Sequence, residues 1–220
     1  MTETESRESL LRITEIFFSL QGETRTVGLP TVFIRLTGCP LRCHYCDTEY
    51  AFSGGEKFTV KQILETTAGF SPRYVTVTGG EPLAQKNCLS LLSLLSDQGY
   101  QVSLETSGAL DISAIDRRVS VVMDLKTPAS GEEAKNCYDN LTHIKSEDQI
   151  KFVICNRNDY EWSKQQLQKY DLVNRCEILF SPVHGKEMAK QLAEWVLEDR
   201  LAVRFQLQLH KYLWNDEPGH

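Results

Sequence analysis

Thr31-Val32-Phe33-Ile34-Arg35-Leu36-Thr37-Gly38-Cys39-Pro40-Leu41-Arg42-Cys43-His44-Tyr45-Cys46 runs from a β-branched, apolar stretch straight into three cysteines at CxxxCxxC spacing. The first half predicts a strand over residues 31–37, and the second a loop at its carboxyl end. The same succession recurs along the chain. Residues 73–78 (RYVTVT) lead to Gly79-Gly80-Glu81-Pro82, 100–105 (YQVSLE) to Thr106-Ser107-Gly108, and 119–124 (VSVVMD) to Leu125-Lys126. Residues 176–181 (CEILFS) lead to Pro182-Val183-His184-Gly185, and 203–209 (VRFQLQL) to His210-Lys211; 150–154 (IKFVI) is a further strand. Helical patterns fall between the strands, over 59–68, 84–98, 111–117, 157–171 and 186–199. Residues 126–148, broken by Thr127-Pro128 and Ser130-Gly131, read as a loop or short helix.

The alternation of strands and helices predicts an α/β fold with a parallel sheet and outer helices. In parallel α/β barrels the functional groups gather at the carboxyl ends of the strands, where these polar clusters fall. A closed eight-stranded barrel takes about 250 residues. This chain has 220, so an open, partial TIM-like barrel is expected.

With 41% hydrophobic residues the chain can bury one core. The expected organisation is a polar, flexible lead-in over residues 1–12 and one domain over 13–220. Net charge is −6 and no Lys/Arg-rich run occurs, which argues against a nucleic-acid partner. No apolar run reaches the length of a membrane span, and the acidic N-terminus is unlike a secretory signal. Of seven cysteines, Cys88, Cys137, Cys155 and Cys176 lie outside any ligand spacing. Cys155 and Cys176 fall in apolar runs and read as buried thiols. An odd cysteine count suits a reducing, cytoplasmic location.

Three thiolates can hold three irons of a four-iron cluster and leave the fourth open to a small molecule. A structural zinc site would need a second ligand pair, and a disulfide scheme would leave one cysteine over. After the strand 73–78, two glycines let the backbone approach a ligand closely. The plainer alternative is a turn, with Glu81-Pro82 opening the next helix.

CxxxCxxC followed by Gly79-Gly80-Glu81-Pro82 resembles the radical S-adenosylmethionine superfamily. The resemblance implies a [4Fe-4S] cluster on Cys39, Cys43 and Cys46. Its open iron binds S-adenosylmethionine, and reductive cleavage gives a 5′-deoxyadenosyl radical that abstracts a substrate hydrogen. It also implies that Tyr45, Gly80, Glu81, Ser107, Asp124, Leu125, Lys126 and Ser181 form the S-adenosylmethionine site. Plainer alternatives are a core aromatic for Tyr45, a turn serine for Ser107 and a solvated lysine for Lys126. His184 follows the Ser181 strand end and stays open.

A narrower resemblance spans residues 13 to 212. Ile13-Thr14-Glu15-Ile16-Phe17-Phe18-Ser19-Leu20-Gln21-Gly22-Glu23, Phe33-Ile34-Arg35-Leu36-Thr37-Gly38-Cys39, Cys46-Asp47-Thr48, Leu104-Glu105-Thr106-Ser107-Gly108, Asp124-Leu125-Lys126 and Leu209-His210-Lys211-Tyr212 are similar to the 7-carboxy-7-deazaguanine synthase family. Members convert 6-carboxy-5,6,7,8-tetrahydropterin to 7-carboxy-7-deazaguanine and ammonia, on the route to queuosine. The resemblance implies that Leu20, Gln21, Gly22, Glu23, Arg35, Thr78 and His210 bind substrate and that Thr48 ligates Mg²⁺. It further implies a homodimer and a flavodoxin-like reductant. Arg35 as a brace inside the barrel, and Asp47-Thr48 as a cap or turn, are the plainer alternatives. No role is carried over to the tail 213–220. Two other functions compete: a glycyl-radical activase of the same superfamily, and an iron–sulfur electron-transfer protein without catalysis.

Overall fold

In each core strand, alternate residues face opposite sides, and the two sides differ in chemistry. The computed structural model describes residues 3–183, 188–215, 217 and 219. Strands β1 (Leu10–Leu20), β2 (Pro30–Leu36), β3 (Glu56–Thr59), β4 (Tyr74–Gly79), β5 (Gln101–Thr106), β6 (Ser120–Asp124), β7 (Gln149–Ile154), β8 (Glu177–Pro182) and β9 (Arg204–Phe205) form one sheet. Its order is β3-β1-β2-β4-β5-β6-β7-β8-β9, so the two edges do not pair and the barrel stays open. β1 runs antiparallel to β2 and β3, and every pairing from β2 to β9 is parallel.

Helices α1 (Glu3–Glu8), α2 (Val60–Gly69), α3 (Cys88–Asp97), α4 (Arg157–Lys169), α5 (Met188–Glu198) and α6 (Leu209–Trp214) complete the element order, with 3₁₀ turns between strands. Thr59 and Gln62 form a reciprocal capping box at the start of α2. The outer face of the sheet buries Val32, Ile34, Leu36, Val75, Val77, Val102 and Leu104 against Ile63, Leu91 and Leu95 of α2 and α3. Farther along, Val121, Met123, Ile150, Phe152, Ile154, Ile178 and Phe180 pack with Tyr160, Leu167 and Leu192 of α4 and α5. The intervening residues face inward. Among the described residues, no helix is long and apolar enough to cross a membrane.

Several expectations are corrected. The lead-in is shorter than residues 1–12: Leu10, Leu11 and Arg12 pair with Thr59, Phe58 and Lys57, and Leu11 is buried. β1 and β3 escaped the periodicity reading, β1 because a bulge between Ile13 and Glu15 breaks its alternation. No helix forms over 111–117. There the carboxylates of Asp111 and Asp116 take the backbone N–H groups of Ser113 and Arg118, in turns that compete with a helix. The strand read over 203–209 pairs only at Arg204 and Phe205, and His210 lies in α6 instead of ending a strand.

Candidate active site

A cavity of about 720 Å³ opens on the inner face of the sheet, within the size range of small-molecule sites. Six parallel strands send polar side chains into it, among them Arg35, Thr78, Glu105, Asp124, Lys151 and Ser181. Register sets neighbours, placing Arg35 beside Thr78 and Asp124 beside Lys151.

The cysteine loop forms one wall. Cys39, Cys43 and Cys46 all line the cavity and are half-buried free thiols. The loop is pinned from outside: Gly38 N–H donates to Ala51 O (2.7 Å), His44 N–H to Ser130 O (3.0 Å), and Arg42 N–H to Glu132 Oε1 (2.6 Å). Burial pushes the Cys43 thiol up to about 11 and raises Cys39 and Cys46 as well. Among the described residues, no three His, Cys, Asp or Glu side chains form a preorganised metal site. The donor set nonetheless fits an iron–sulfur cluster, with three thiols on one loop of one cavity wall and no fourth. Buried polar atoms of wall residues, among them Asp124 Oδ1 and Ser181 Oγ, have no protein partner and fit a polar ligand.

The Gly79-Gly80 turn has a structural cause. A Cβ on Gly80 would stand 2.4 Å from Gly38 O and 2.8 Å from the Cys39 Cβ. Glycine is therefore required for the turn to pack on the cysteine loop, and its N–H is spent on Leu36 O (3.1 Å). Glu81 corrects the sequence reading: it is fully buried and does not line the cavity. Its carboxylate accepts from Leu83 N–H, from the Thr106 hydroxyl, and from Ser107 N–H (2.7 Å) and Oγ (2.5 Å). It clamps the turn to the end of β5. Because the Ser107 hydroxyl donates its proton to Glu81, its oxygen faces the cavity as an acceptor. The Leu125 side chain packs in the outer core, so only its backbone is left for a contact in the cavity. Lys126 is not solvated: its Nζ meets Asp124 Oδ2 at 2.9 Å. Burial works against its ammonium, but the Asp124 carboxylate together with Cys43 and Cys46 outweighs this and raises its pKa. Tyr45 and Gly80 also line the cavity. His184 lies outside the described residues.

The opposite wall comes from the β1–β2 loop and the C-terminal segment. Leu20, Gln21, Gly22 and Glu23 line it, facing His210. Gln21 Nε2 donates to Thr76 Oγ1 (3.2 Å) and Glu105 Oε1 (3.3 Å), and Thr78 Oγ1 donates to Glu105 Oε2 (2.9 Å). Burial, with Glu23 nearby, raises the pKa of Glu105. Lys151 pairs with Glu23, and Gln208 Nε2 bridges Glu23 Oε1 (2.8 Å) and Asp47 Oδ2 (3.1 Å). Arg35 Nε is held by Glu15 Oε1 at 2.7 Å. Thr48 Oγ1 donates to Asp47 Oδ1 at 2.8 Å and keeps its lone pairs for another partner. Glu105, Lys151, Asp47 and Gln208 were missed as site residues. Lys151 did carry a signal, as the one charge in IKFVI, at an inward position of the alternation.

Burial holds His210 below its ordinary value of 6.5, although Glu23 and Asp47 favour its charged form. The unfolded chain therefore binds more protons as pH falls through about 6.5, and this residue's contribution to stability is lost in that direction. His210→Gln should lose less melting temperature than the parent between pH 7 and about 5. Parallel melting curves for the two proteins would refute this assignment.

The comparisons agree with this geometry. The radical SAM superfamily profile matches residues 33–129. The 7-carboxy-7-deazaguanine synthase of Chlorobaculum tepidum is 43% identical over 215 residues, covering 96% of this chain and 98% of its own. That of Koribacter versatilis is 39% identical, covering 94% and 98%. Among solved structures, QueE from Escherichia coli shares the fold with a TM-score of 0.80 at 23% identity, over 96% of this chain and 99% of that one. Streptococcus suis SuiB bound to S-adenosylmethionine matches more loosely, with a TM-score of 0.56 at 15% identity over 81% of this chain and 50% of that one. Radical SAM membership implies a [4Fe-4S] cluster and S-adenosylmethionine as cofactors. Near-full-length relatives of one kind decide against the glycyl-radical activase and the electron-transfer protein, and the chain belongs to the 7-carboxy-7-deazaguanine synthase family of radical SAM enzymes.

Proposed function

We infer that the chain converts 6-carboxy-5,6,7,8-tetrahydropterin to 7-carboxy-7-deazaguanine with release of ammonia. The observation that carries this reading is the meeting of two chemistries in one cavity: the cysteine loop on one side, and Arg35, Glu105, Lys151, Glu23 and His210 on the other. When bound, the cluster and S-adenosylmethionine supply hydrogen abstraction. The protein's own groups bind and orient. Arg35 takes the pterin carboxylate. Gln21, Thr78 and Glu105, already joined by hydrogen bonds, meet the edge of the flat heterocycle. Burial raises the pKa of Glu105, and its two oxygens accept from Gln21 and Thr78, which fixes the plane of its carboxyl group at that edge. On the cofactor side, the orphaned Asp124 Oδ1 and Ser181 Oγ await hydroxyl or ammonium donors, and Ser107 presents an acceptor.

Mg²⁺ belongs to the same reading. It prefers oxygen ligands and retains waters. Thr48, its hydroxyl polarised by Asp47, provides one such oxygen. Burial opposes ionisation of Asp47, but hydrogen bonds from Thr48 and Gln208 outweigh it and hold the carboxyl below its usual range. Thr48→Val keeps the shape and removes the ligand. This variant should retain its cluster and S-adenosylmethionine binding and lose the Mg²⁺ dependence of turnover; a response to Mg²⁺ like the parent's would reduce Thr48 to a turn residue.

A flavodoxin-like reductant, a homodimer and a cytoplasmic setting complete the proposal, the last because free thiols and an oxygen-sensitive cluster suit a reducing compartment. Anaerobic reconstitution followed by incubation with the carboxytetrahydropterin tests the whole. Ammonia and 7-carboxy-7-deazaguanine are expected, and cleavage of S-adenosylmethionine with the pterin recovered unchanged would overturn the reading.

A further inference from the structure

The sheet ends at β9, and the segment that follows this edge strand meets the β1–β2 loop. Gln206 N–H donates to Phe180 O (3.0 Å), which carries the chain past β9 along β8. Its side chain is buried and makes a two-pronged contact: Oε1 accepts from Thr24 N–H (2.7 Å) and Nε2 donates to Thr24 O (2.9 Å). Thr24 has φ +66°, a left-handed conformation that costs a β-branched residue energy and must be held by its surroundings. Two residues earlier, Gly22 O accepts from Leu209 N–H at 2.9 Å. Gly22 lies so close to His210 that a Cβ there would stand 2.0 Å from its Nδ1. Between these bonds sits Glu23, held by Lys151 and Gln208.

We propose that Gln206 is a positioning residue for the pterin: by clipping Thr24 to the segment after β9, it sets the spacing of Glu23 and His210 on the substrate wall. It touches no substrate itself, since it does not line the cavity. It acts through the loop it holds. The three cysteines and the Glu81 clamp are held by other elements, and the two walls meet at Gln208, which joins Glu23 to Asp47. Loosening the clip should therefore be felt first by the pterin, with cleavage of S-adenosylmethionine little changed. The inference rests on the substrate reading given above.

Gln206→Met keeps the side-chain length and removes both prongs. A pair of buried, neutral hydrogen bonds corresponds to about a ten- to hundredfold change in an equilibrium. The pterin KM should rise by about that factor while kcat changes little, and cleavage of S-adenosylmethionine without pterin should keep the parent rate. Amide hydrogen exchange in the protein should accelerate at residues 22–24 and 209 and stay unchanged in β4, β5 and β6. Gln206→Asn, which can reach only one prong, should show the same split at smaller size and serves if the Met variant does not fold. Unchanged pterin KM with faster exchange at 22–24 would make the clip structural only and overturn the proposal. A parallel loss of both activities would do the same. A parent protein that does not turn over the pterin strikes the functional reading; an unaltered KM in a variant of an active parent strikes the clip alone.

Discussion

Cys39→Ala, Cys43→Ala and Cys46→Ala should each lose the iron–sulfur cluster and all turnover, the largest effect expected anywhere in the chain. Each substitution leaves an iron without its thiolate, and among the described residues no group of three or more His, Cys, Asp or Glu is preorganised to hold a metal in its place. Iron and acid-labile sulfide per chain, read with the visible absorption after anaerobic reconstitution, measure this directly. Cys88→Ala and Cys155→Ala are the controls. Cys88 is buried in the outer core between the sheet and its helices, on the far side from the cavity, and Cys155 does not line the cavity. Both variants should reconstitute like the parent. Equal cluster loss in the controls would defeat the assignment of the loop.

The parts of this molecule that were legible in the sequence are those where local pattern and global position coincide. β2, β4, β5, β6, β7 and β8 alternate Val, Ile, Leu and Phe on the helix-covered side with other residues inside, and a polar turn follows each. β3, with the sequence EKFT, is short and polar and exists because β1 offers it an edge. The cysteines and glycines were readable by spacing. Their surroundings were not. Gly80 read as a place for a ligand, but the first demand on it is the approach of Gly38 and Cys39. Glu81 read as a contact to the cofactor, but its carboxylate is consumed by Thr106, Ser107 and Leu83. Both residues are in the motif for reasons that appear only when β4 and β5 lie side by side. The Glu23–Lys151 pair, 128 residues apart in sequence, exists only because the β1–β2 loop crosses to β7. Local periodicity has no access to such a crossing.

Arg35 is where the two readings of one residue can be separated by experiment. It lines the cavity, as a carboxylate ligand must, and is also held by Glu15, as a brace would be. The Tyr50 hydroxyl donates to the same Glu15 oxygen at 2.8 Å, and the Phe17 and Tyr50 rings lie within 6 Å of the guanidinium carbon, at 5.9 and 5.7 Å. This frame fixes Nε and the plane of the fork. Arg35→Met keeps most of the stem and deletes the charge. Removing one partner of a desolvated, hydrogen-bonded ion pair costs about 2–5 kcal/mol, so pterin binding should weaken by tens to thousands of fold. Cleavage of S-adenosylmethionine without pterin should persist, because the cysteine loop and the Glu81 clamp are untouched. Glu15→Gln gives the complementary arm. It weakens the brace and leaves the charge in place, and Gln can still accept from Tyr50 and Arg35. If Arg35 holds the pterin carboxylate, Arg35→Met should lose far more affinity than Glu15→Gln, with little change in melting temperature in either. If Arg35 only braces β1 against β2, the two variants should lose melting temperature together and keep the parent's pterin affinity. Titration with the carboxytetrahydropterin, alongside a circular dichroism melt, separates these outcomes. Parent-like affinity in a folded Arg35→Met protein would move the carboxylate to another of the cavity's cations, Lys151 or Lys211.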